Sequence, residues 1–380
     1  MTFSATVDQK PFAAAMAAAA RLAARRTTIP ILSHVILRGD AAGALAVSAT
    51  DLEQALTQTV PCAAGAAGGV TAPAAPLAAF AAKADAGEPI TLTMDGAMLT
   101  ARQGRLRLRL PTLPLSDAPI FHDLPAGPDW EVDAAPFLER LKAIGAAAST
   151  EETRFYLNGV YLDLRQAPVM VATNGHILAL DRLEDLTPPV GAPGVIIPNA
   201  AVTALPLVMA GQKRLDLRIG GERLAAQAHG LVFSTRLIDG RYPDYSRVIP
   251  ADTPRAARVK KTALLRLLDR VSVIEEVDKE SNNARIVRLT FSPGELTAGV
   301  KNRDGEESAD ACAAEVDGDE QRMGFNVAYL RAMAQSLSTA SGDTLELRFS
   351  DALAPILLTV ADDTPPRDRQ RLRVIMPIRV

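Results

Sequence analysis

Three stretches of the chain repeat one order of elements at intervals of about 120 residues. The first holds Ala-Thr-Asp-Leu (49–52), an Ala-rich segment (76–86), Ile-Thr-Leu-Thr-Met-Asp-Gly (90–96) and Leu-Arg-Leu-Arg-Leu-Pro (106–111). The second holds Ala-Thr-Asn-Gly (172–175), an apolar segment (199–210), Leu-Asp-Leu-Arg-Ile-Gly-Gly (215–221) and Val-Phe-Ser-Thr-Arg-Leu (232–237). The third holds Val-Lys-Asn-Arg-Asp (300–304), a helical pattern (326–337), Leu-Glu-Leu-Arg-Phe-Ser-Asp (345–351) and Leu-Arg-Val-Ile-Met-Pro (372–377). This period exceeds the roughly 20–50 residues of solenoid units that must stack on neighbours. It implies three domains, each long enough to bury a core. A repeated domain with no shared catalytic residue points to a geometric task.

Each unit reads as a short strand (Phe3–Val7, Trp130–Val132, Ala257–Val259), then a helix near 10–24, 134–147 and 261–274. A hairpin follows: 34–39 with 44–49, 157–164 with 168–173, and 285–291 with 295–300, with turn chemistry at Gly43, Gln166 and Pro293-Gly294. A further strand, a second helix and more strands complete the unit. Period-two alternation is plain in Leu106-Arg107-Leu108-Arg109-Leu110 and Leu345-Glu346-Leu347-Arg348-Phe349. The fold class is therefore α+β, with two helices packed on antiparallel sheets in each unit. The Pro-rich stretches 122–129 and 250–256 read as linkers, giving domains at 1–124, 125–252 and 253–380.

Composition is globular, with 48% hydrophobic and 22% charged residues. Cys62 and Cys312 stand too far apart to suggest a metal site or a disulfide framework and read as reduced thiols. No apolar run reaches the roughly 18 residues of a membrane span. The run Phe12–Ala20 reads as a helix, because Pro11 suits its first turn and Arg21, Arg25 and Arg26 its end. A cytoplasmic protein is expected. Net charge is −3, yet the predicted helices carry mainly cations, among them Lys10, Arg21, Lys83, Arg140, Lys142, Arg266, Arg270 and Arg331. Acids gather elsewhere, at Asp304–Glu307 and Asp317–Glu320. Such polarisation gives one face that attracts phosphate, although Lys and Arg are also simply good helix formers.

The usual catalytic and phosphate-loop signatures are absent. The histidines His34, His122, His176 and His229 are scattered singly. His176 is the most site-like, but a catalytic histidine needs a positioned acid and a nucleophile. Asp181 and Thr173 are near it in sequence and fall at different places on a strand-turn-strand. No cofactor or metal is implied.

Several motifs occur together in fixed order. They are Thr28-Ile29-Pro30-Ile31-Leu32, Arg154-Phe155-Tyr156-Leu157-Asn158-Gly159 and Val171-Ala172-Thr173-Asn174-Gly175-His176. Leu237-Ile238-Asp239-Gly240-Arg241-Tyr242-Pro243-Asp244-Tyr245, Phe325-Asn326-Val327-Ala328-Tyr329 and the terminal Val374-Ile375-Met376-Pro377-Ile378-Arg379-Val380 complete the set. Across its whole length the chain resembles the bacterial sliding clamps, the β subunit of DNA polymerase III.

That resemblance implies three tandem clamp-type domains in a head-to-tail homodimeric ring. The ring would enclose duplex DNA without reading sequence. It would act as a processivity factor, not an enzyme, tethering the polymerase α subunit, the clamp loader and other proteins with a clamp-binding motif. Residues expected to face DNA are Arg26, Lys10, Arg21, Lys83, Arg140, Lys142, Tyr156 and Arg266. The dimer seam is expected on a strand over 104–110 through Leu108 and Leu110, opposite Val273 and Ile274. A partner-peptide groove is expected from Leu157, Thr173, Gly175, His176, Leu178, Pro243, Arg247, Val248, Asn326, Tyr329, Leu353, Val374, Met376, Pro377, Ile378 and Arg379. Four departures from the family pattern stand out. Ile177 replaces a common Arg, Ser246 a basic residue, Pro355 a small polar residue, and Asn199-Ala200 a basic pair. They fit either the main clamp of a divergent lineage or a second copy with altered partners. Two other readings stand beside the clamp: a scaffold that uses the groove without enclosing DNA, and an enzyme built on His176.

Overall fold

The computed structural model describes residues 3–24, 26–39, 43–62, 68–119, 121, 124–274, 277–278, 284–302, 305–337, 344–362, 364–365 and 368–379. Arg25, His122, Arg303, Asp304 and Val380, named above, lie outside them.

Six α-helices occur among the described residues: α1 (Gln9–Leu22), α2 (Ala74–Lys83), α3 (Ala134–Gly145), α4 (Asn199–Val208), α5 (Lys261–Val271) and α6 (Val327–Ser336). Their register follows from apolar spacing. Phe12, Ala15, Met16, Ala19 and Leu22 of α1 are buried, and α3 buries Ala134, Phe137, Leu138, Leu141 and Ile144. Both are i, i+3, i+4, i+7 stripes. In α5 the buried stripe is Leu264, Leu267, Leu268 and Val271. α4 carries Pro206 in its interior, which removes one helical hydrogen bond. None of the described helices is long and apolar enough to cross a membrane.

The chain forms two compact units, Met1–Leu138 with Ala200–Leu237, and Glu139–Asn199 with Ile238–Val380. The first holds a four-stranded sheet in the order Ser4–Asp8, Pro89–Asp95, Met98–Gln103, Leu106–Pro111. It also holds an eight-stranded sheet. There Gln54–Pro61, from the first repeat, pairs antiparallel with Leu231–Arg236, from the second. The second unit repeats the device in a nine-stranded sheet, where Ile177–Arg182 pairs antiparallel with Arg371–Ile375. Its other sheet is built on Ala284–Ser292, Glu295–Lys301 and Glu307–Ala313, with Gln321–Asn326 pairing to the first of these. The middle repeat is thus divided between the units. Its strands Arg214–Gly220, Arg223–Ala228 and Leu231–Arg236 complete one sheet, and Gly159–Asp163, Val169–Thr173 and Ile177–Arg182 open another.

The faint sequence repeat becomes explicit in two turns. The Thr50 hydroxyl donates to Gln54 O and accepts from Leu52 N–H at 3.0 Å. Asp51 Oδ1 accepts from Glu53 N–H at 3.1 Å and Gln54 N–H at 2.6 Å. One repeat later, Thr173 Oγ1 donates to Ile177 O at 2.6 Å and accepts from Gly175 N–H at 3.1 Å. Asn174 Oδ1 accepts from His176 N–H at 2.9 Å and Ile177 N–H at 3.0 Å. The position after the Asx residue has positive φ in both turns, +91° at Gly175 and +83° at Leu52. Glycine adopts that conformation freely, whereas leucine is strained there.

Candidate functional site

All the sequence-predicted groove residues fall in the second compact unit. The turn 173–177 presents His176 at the surface and starts the strand Ile177–Arg182. That strand is held by Arg371–Ile375, with Leu178 opposite Val374 and Ile177 opposite Ile375. Beyond the pairing the chain continues along the same edge, where Met376 N–H donates to His176 O at 2.9 Å and Ile378 N–H to Gly324 O at 2.8 Å. The residues Met376–Arg379 are therefore fixed between the turn and the strand Gln321–Asn326.

The entry of α6 is fixed by its cap. Asn326 Oδ1 accepts from Ala328 N–H at 2.9 Å and Tyr329 N–H at 3.2 Å, a cap of the kind that contributes about 1 kcal/mol. It holds Tyr329 with its ring stacked on His176 at 6.1 Å between centroids. Leu157, Leu178 and Val374 lie in one buried cluster with Tyr161, Val171, Leu180, Tyr242, Ile249, Leu357 and Leu372. In the same unit, Val248, Leu353 and Met376 are 49%, 57% and 42% exposed, unusual values for large apolar side chains. Arg247, paired with Asp244 at 3.0 Å but 83% exposed, and the exposed Arg379 add positive charge. Thr173, Asn326, Tyr329, Pro377 and Ile378 are half-buried, and Pro243 and Gly175 are exposed. One compact unit thus holds a buried apolar cluster together with exposed aliphatic side chains and exposed arginines. That arrangement suits an extended segment with apolar anchors better than it suits bond-breaking chemistry.

Two contributors escape the sequence reading. Arg154 donates twice to Glu151 Oε2, at 2.9 and 2.7 Å, and its Nη1 lies 2.7 Å from where a Cβ on Gly175 would stand. The glycine thus serves both the positive φ and the approach of the guanidinium. Tyr242 lies in the buried cluster, its ring stacked on Tyr161 at 4.7 Å and 4°. Burial raises its pKa well above the ordinary tyrosine value. Both residues belong to motifs visible in the sequence, but only their three-dimensional neighbours reveal the contacts.

Ile177, Asn199 and Ser246 have local explanations, whereas nothing in the structure explains Pro355. Ile177 is 2% exposed, so its side chain enters the core. Asn199 donates its side-chain amide to Ser149 O at 2.7 Å and its backbone N–H to Asn158 O at 3.0 Å. Asp244 accepts from Ser246 Oγ at 2.6 Å, and that hydrogen bond is the main reason its carboxyl pKa is lowered.

The remaining expected positions are scattered over the two units. Lys10, Arg21, Arg26, Lys83, Lys142 and Arg266 are exposed. Arg140 is only 11% exposed and paired with Asp185 at 2.5 Å. Tyr156 is partly buried against the groove cluster. The strand expected over 104–110 begins at Leu106, because Gly104 has a φ of +53° and forms the turn with Arg105. Leu106 is 44% exposed, Leu108 half-buried and Leu110 buried. Val273 is 77% exposed and Ile274 half-buried.

Three models of the DNA polymerase III beta subunit match this chain. The N-terminal domain matches residues 1–122, the central domain 131–244 and the C-terminal domain 246–379. The beta sliding clamp of Caulobacter vibrioides is 30% identical over 383 residues, covering 99% of each chain. Among solved structures, the DNA polymerase III subunit beta sliding clamp of Bartonella birtlesii, bound to griselimycin, superposes with a TM-score of 0.89 at 32% identity and full coverage of both chains. That of Pseudomonas aeruginosa, also bound to griselimycin, does so with a TM-score of 0.89 at 26% identity and full coverage.

Proposed function

The chain belongs to the DNA polymerase III beta subunit family, the bacterial sliding clamps, and from that premise we propose how its parts serve the function. It is a non-catalytic processivity factor for DNA replication. Two copies close head to tail into a ring around duplex DNA, with domains at 1–124, 125–252 and 253–380, in the cytoplasm. The observation that carries this reading is the tiling of three domain models across the chain, in order and nearly end to end.

Retention on DNA is topological, so no base needs to be read. Lys10, Arg21, Arg26, Lys83, Lys142 and Arg266, exposed on or beside helices, supply a sequence-independent attraction to phosphate. Arg140 contributes less, because Asp185 already neutralises it. A net charge of −3 per chain keeps the remaining surface from adhering to DNA, which suits sliding. Tyr156 and the Asn199-Ala200 pair add no charge, so contact with DNA rests on the cations named. The groove from His176 to Arg379 takes extended peptides of the polymerase and other clients. Aliphatic anchors would meet Val248, Leu353 and Met376, and polar atoms His176 and the arginines. Griselimycin, bound by the Bartonella and Pseudomonas clamps, is a natural probe for this chain.

Loading onto a nicked circular plasmid by a bacterial clamp loader tests the ring. The protein is expected to co-elute with the circle and to be released when a restriction enzyme linearises it. Equal retention on linear DNA, or none on the circle, overturns the proposal.

A further inference from the structure

Arg373 is the largest fully buried side chain among the described residues, with an exposure of 0%. Its guanidinium is hydrogen-bonded on every side. Nε donates to Ser336 Oγ at 2.6 Å and Nη2 to Ser336 O at 3.1 Å. Nη1 meets Asp181 Oδ1 at 2.7 Å, Leu372 O at 2.9 Å and Leu180 O at 3.1 Å. Asp181 is equally buried, at 2% side-chain exposure.

Each of these partners lies on an element that carries groove residues. Asp181 and Leu180 are on the strand that begins just after His176. Ser336 closes α6, whose first turn holds Tyr329, about 10 Å away at 1.5 Å per residue, against His176. Arg373 itself precedes Val374 and the segment Met376–Arg379. The α6 terminus is doubly tied, since Lys261 Nζ donates to Leu337 O at 2.6 Å, and cations there also complement the helix dipole. A buried ion pair is often no more stabilising than an apolar pair of similar volume, so stability alone does not account for a guanidinium here. Its planar fork can meet three elements at fixed angles, which an aliphatic side chain cannot.

We propose that Arg373, through Asp181 and Ser336, is the positioning residue of the groove, setting the register of Met376–Arg379 and α6 against the His176 turn. This rests on the groove reading above but is read separately from it. Three variants of the full-length chain would be compared, Arg373→Met, Arg373→Lys, and Asp181→Leu with Arg373→Met. The measurements are thermal midpoint, griselimycin affinity by calorimetry, and amide exchange. Arg373→Met leaves the buried Asp181 carboxylate with only the longer contact to Arg371, at 3.8 Å, so both stability and affinity should fall. The double variant removes both charges and should recover the midpoint, while affinity stays down by roughly tenfold, the loss expected when charged hydrogen bonds are removed. Arg373→Lys keeps the charge pair without the fork. Exchange at the Met376 and Ile378 amides, bonded to His176 O and Gly324 O, should accelerate in all three. Wild-type affinity and wild-type exchange at those amides, in the double variant or in Arg373→Lys, would overturn the proposal. The groove reading fails on a different result, namely griselimycin bound equally well after removal of residues 376–380. The exchange readout needs no ligand and still decides the role of Arg373 in that case.

Discussion

At the scale of single residues, the proposed groove rests on three neighbouring tyrosines, of which Tyr161 and Tyr242 are buried and Tyr245 half-buried. Tyr161 stacks on Tyr242 at 4.7 Å and meets Tyr245 at 6.4 Å. Arg165 lies over the Tyr161 ring at 5.8 Å while pairing bidentately with Asp163, at 2.8 Å through each nitrogen. Burial, first, and then the Asp163 carboxylate raise the Tyr161 pKa and push Tyr245 up to about 12. A tyrosine whose folded pKa is raised stabilises the fold fully below its unfolded value of about 10, and that stability is lost as pH climbs towards the folded value. Absorbance titration at tyrosinate wavelengths should therefore show Tyr161, Tyr242 and Tyr245 ionising late, and chemical stability should decline above pH ~10. Phenylalanine at Tyr242 and Tyr245 should flatten that decline. A profile in which every tyrosine ionises near 10 in the folded protein would contradict the buried cluster.

At the scale of elements, much of the fold was legible. Apolar stripes marked α1, α3 and α5, and turn residues marked the three hairpins, because both signals are local. What was not legible is how strands pair over long distances. Nothing near Gln54–Pro61 announces Leu231–Arg236 as its neighbour, and nothing near Ile177–Arg182 announces Arg371–Ile375. In the sequence Asp181 is only an acid near His176 and Arg373 only a member of Leu-Arg-Val-Ile-Met-Pro, since the partner that explains each is about 190 residues away. The turn 50–54 shows a different limit. Its likeness to 173–177 was readable, but the strain at Leu52 was not, because leucine normally avoids positive φ. Leu52 is 51% exposed, so replacing it sacrifices little burial. Leu52→Gly should then stabilise the protein by about 1 kcal/mol, the relief of a left-handed non-glycine residue less the entropy of glycine. A urea midpoint that falls instead would mean that the Leu52 side chain makes contacts worth more than the strain.

At the scale of the molecule, the repeat solves the problem of open sheet edges in two ways. Inside the chain, each of the two largest sheets joins strands of successive repeats, so those edges vanish. Among the described residues, the strand Leu106–Pro111 has no such partner, for it ends the four-stranded sheet with only Met98–Gln103 beside it. An unprotected edge of this kind invites pairing with another chain, and its alternation directs Leu106 and Leu108 to one face and Arg107 and Arg109 to the other. Val273, 77% exposed after α5, is an equally unsatisfied apolar group in the third repeat. A head-to-tail dimer satisfies both features at two equivalent seams and closes, whereas an open contact would propagate into filaments. Introducing Asp at Leu108 and at Ile274 places two carboxylates in each proposed seam, where burial without a partner costs several kcal/mol. The double variant should run in light scattering near the chain mass of 40.2 kDa, with its far-ultraviolet circular dichroism unchanged. It should also lose retention on circular DNA while still binding griselimycin, because the groove lies wholly within one chain. A mass of twice that value for the variant would place the seam elsewhere on the molecule.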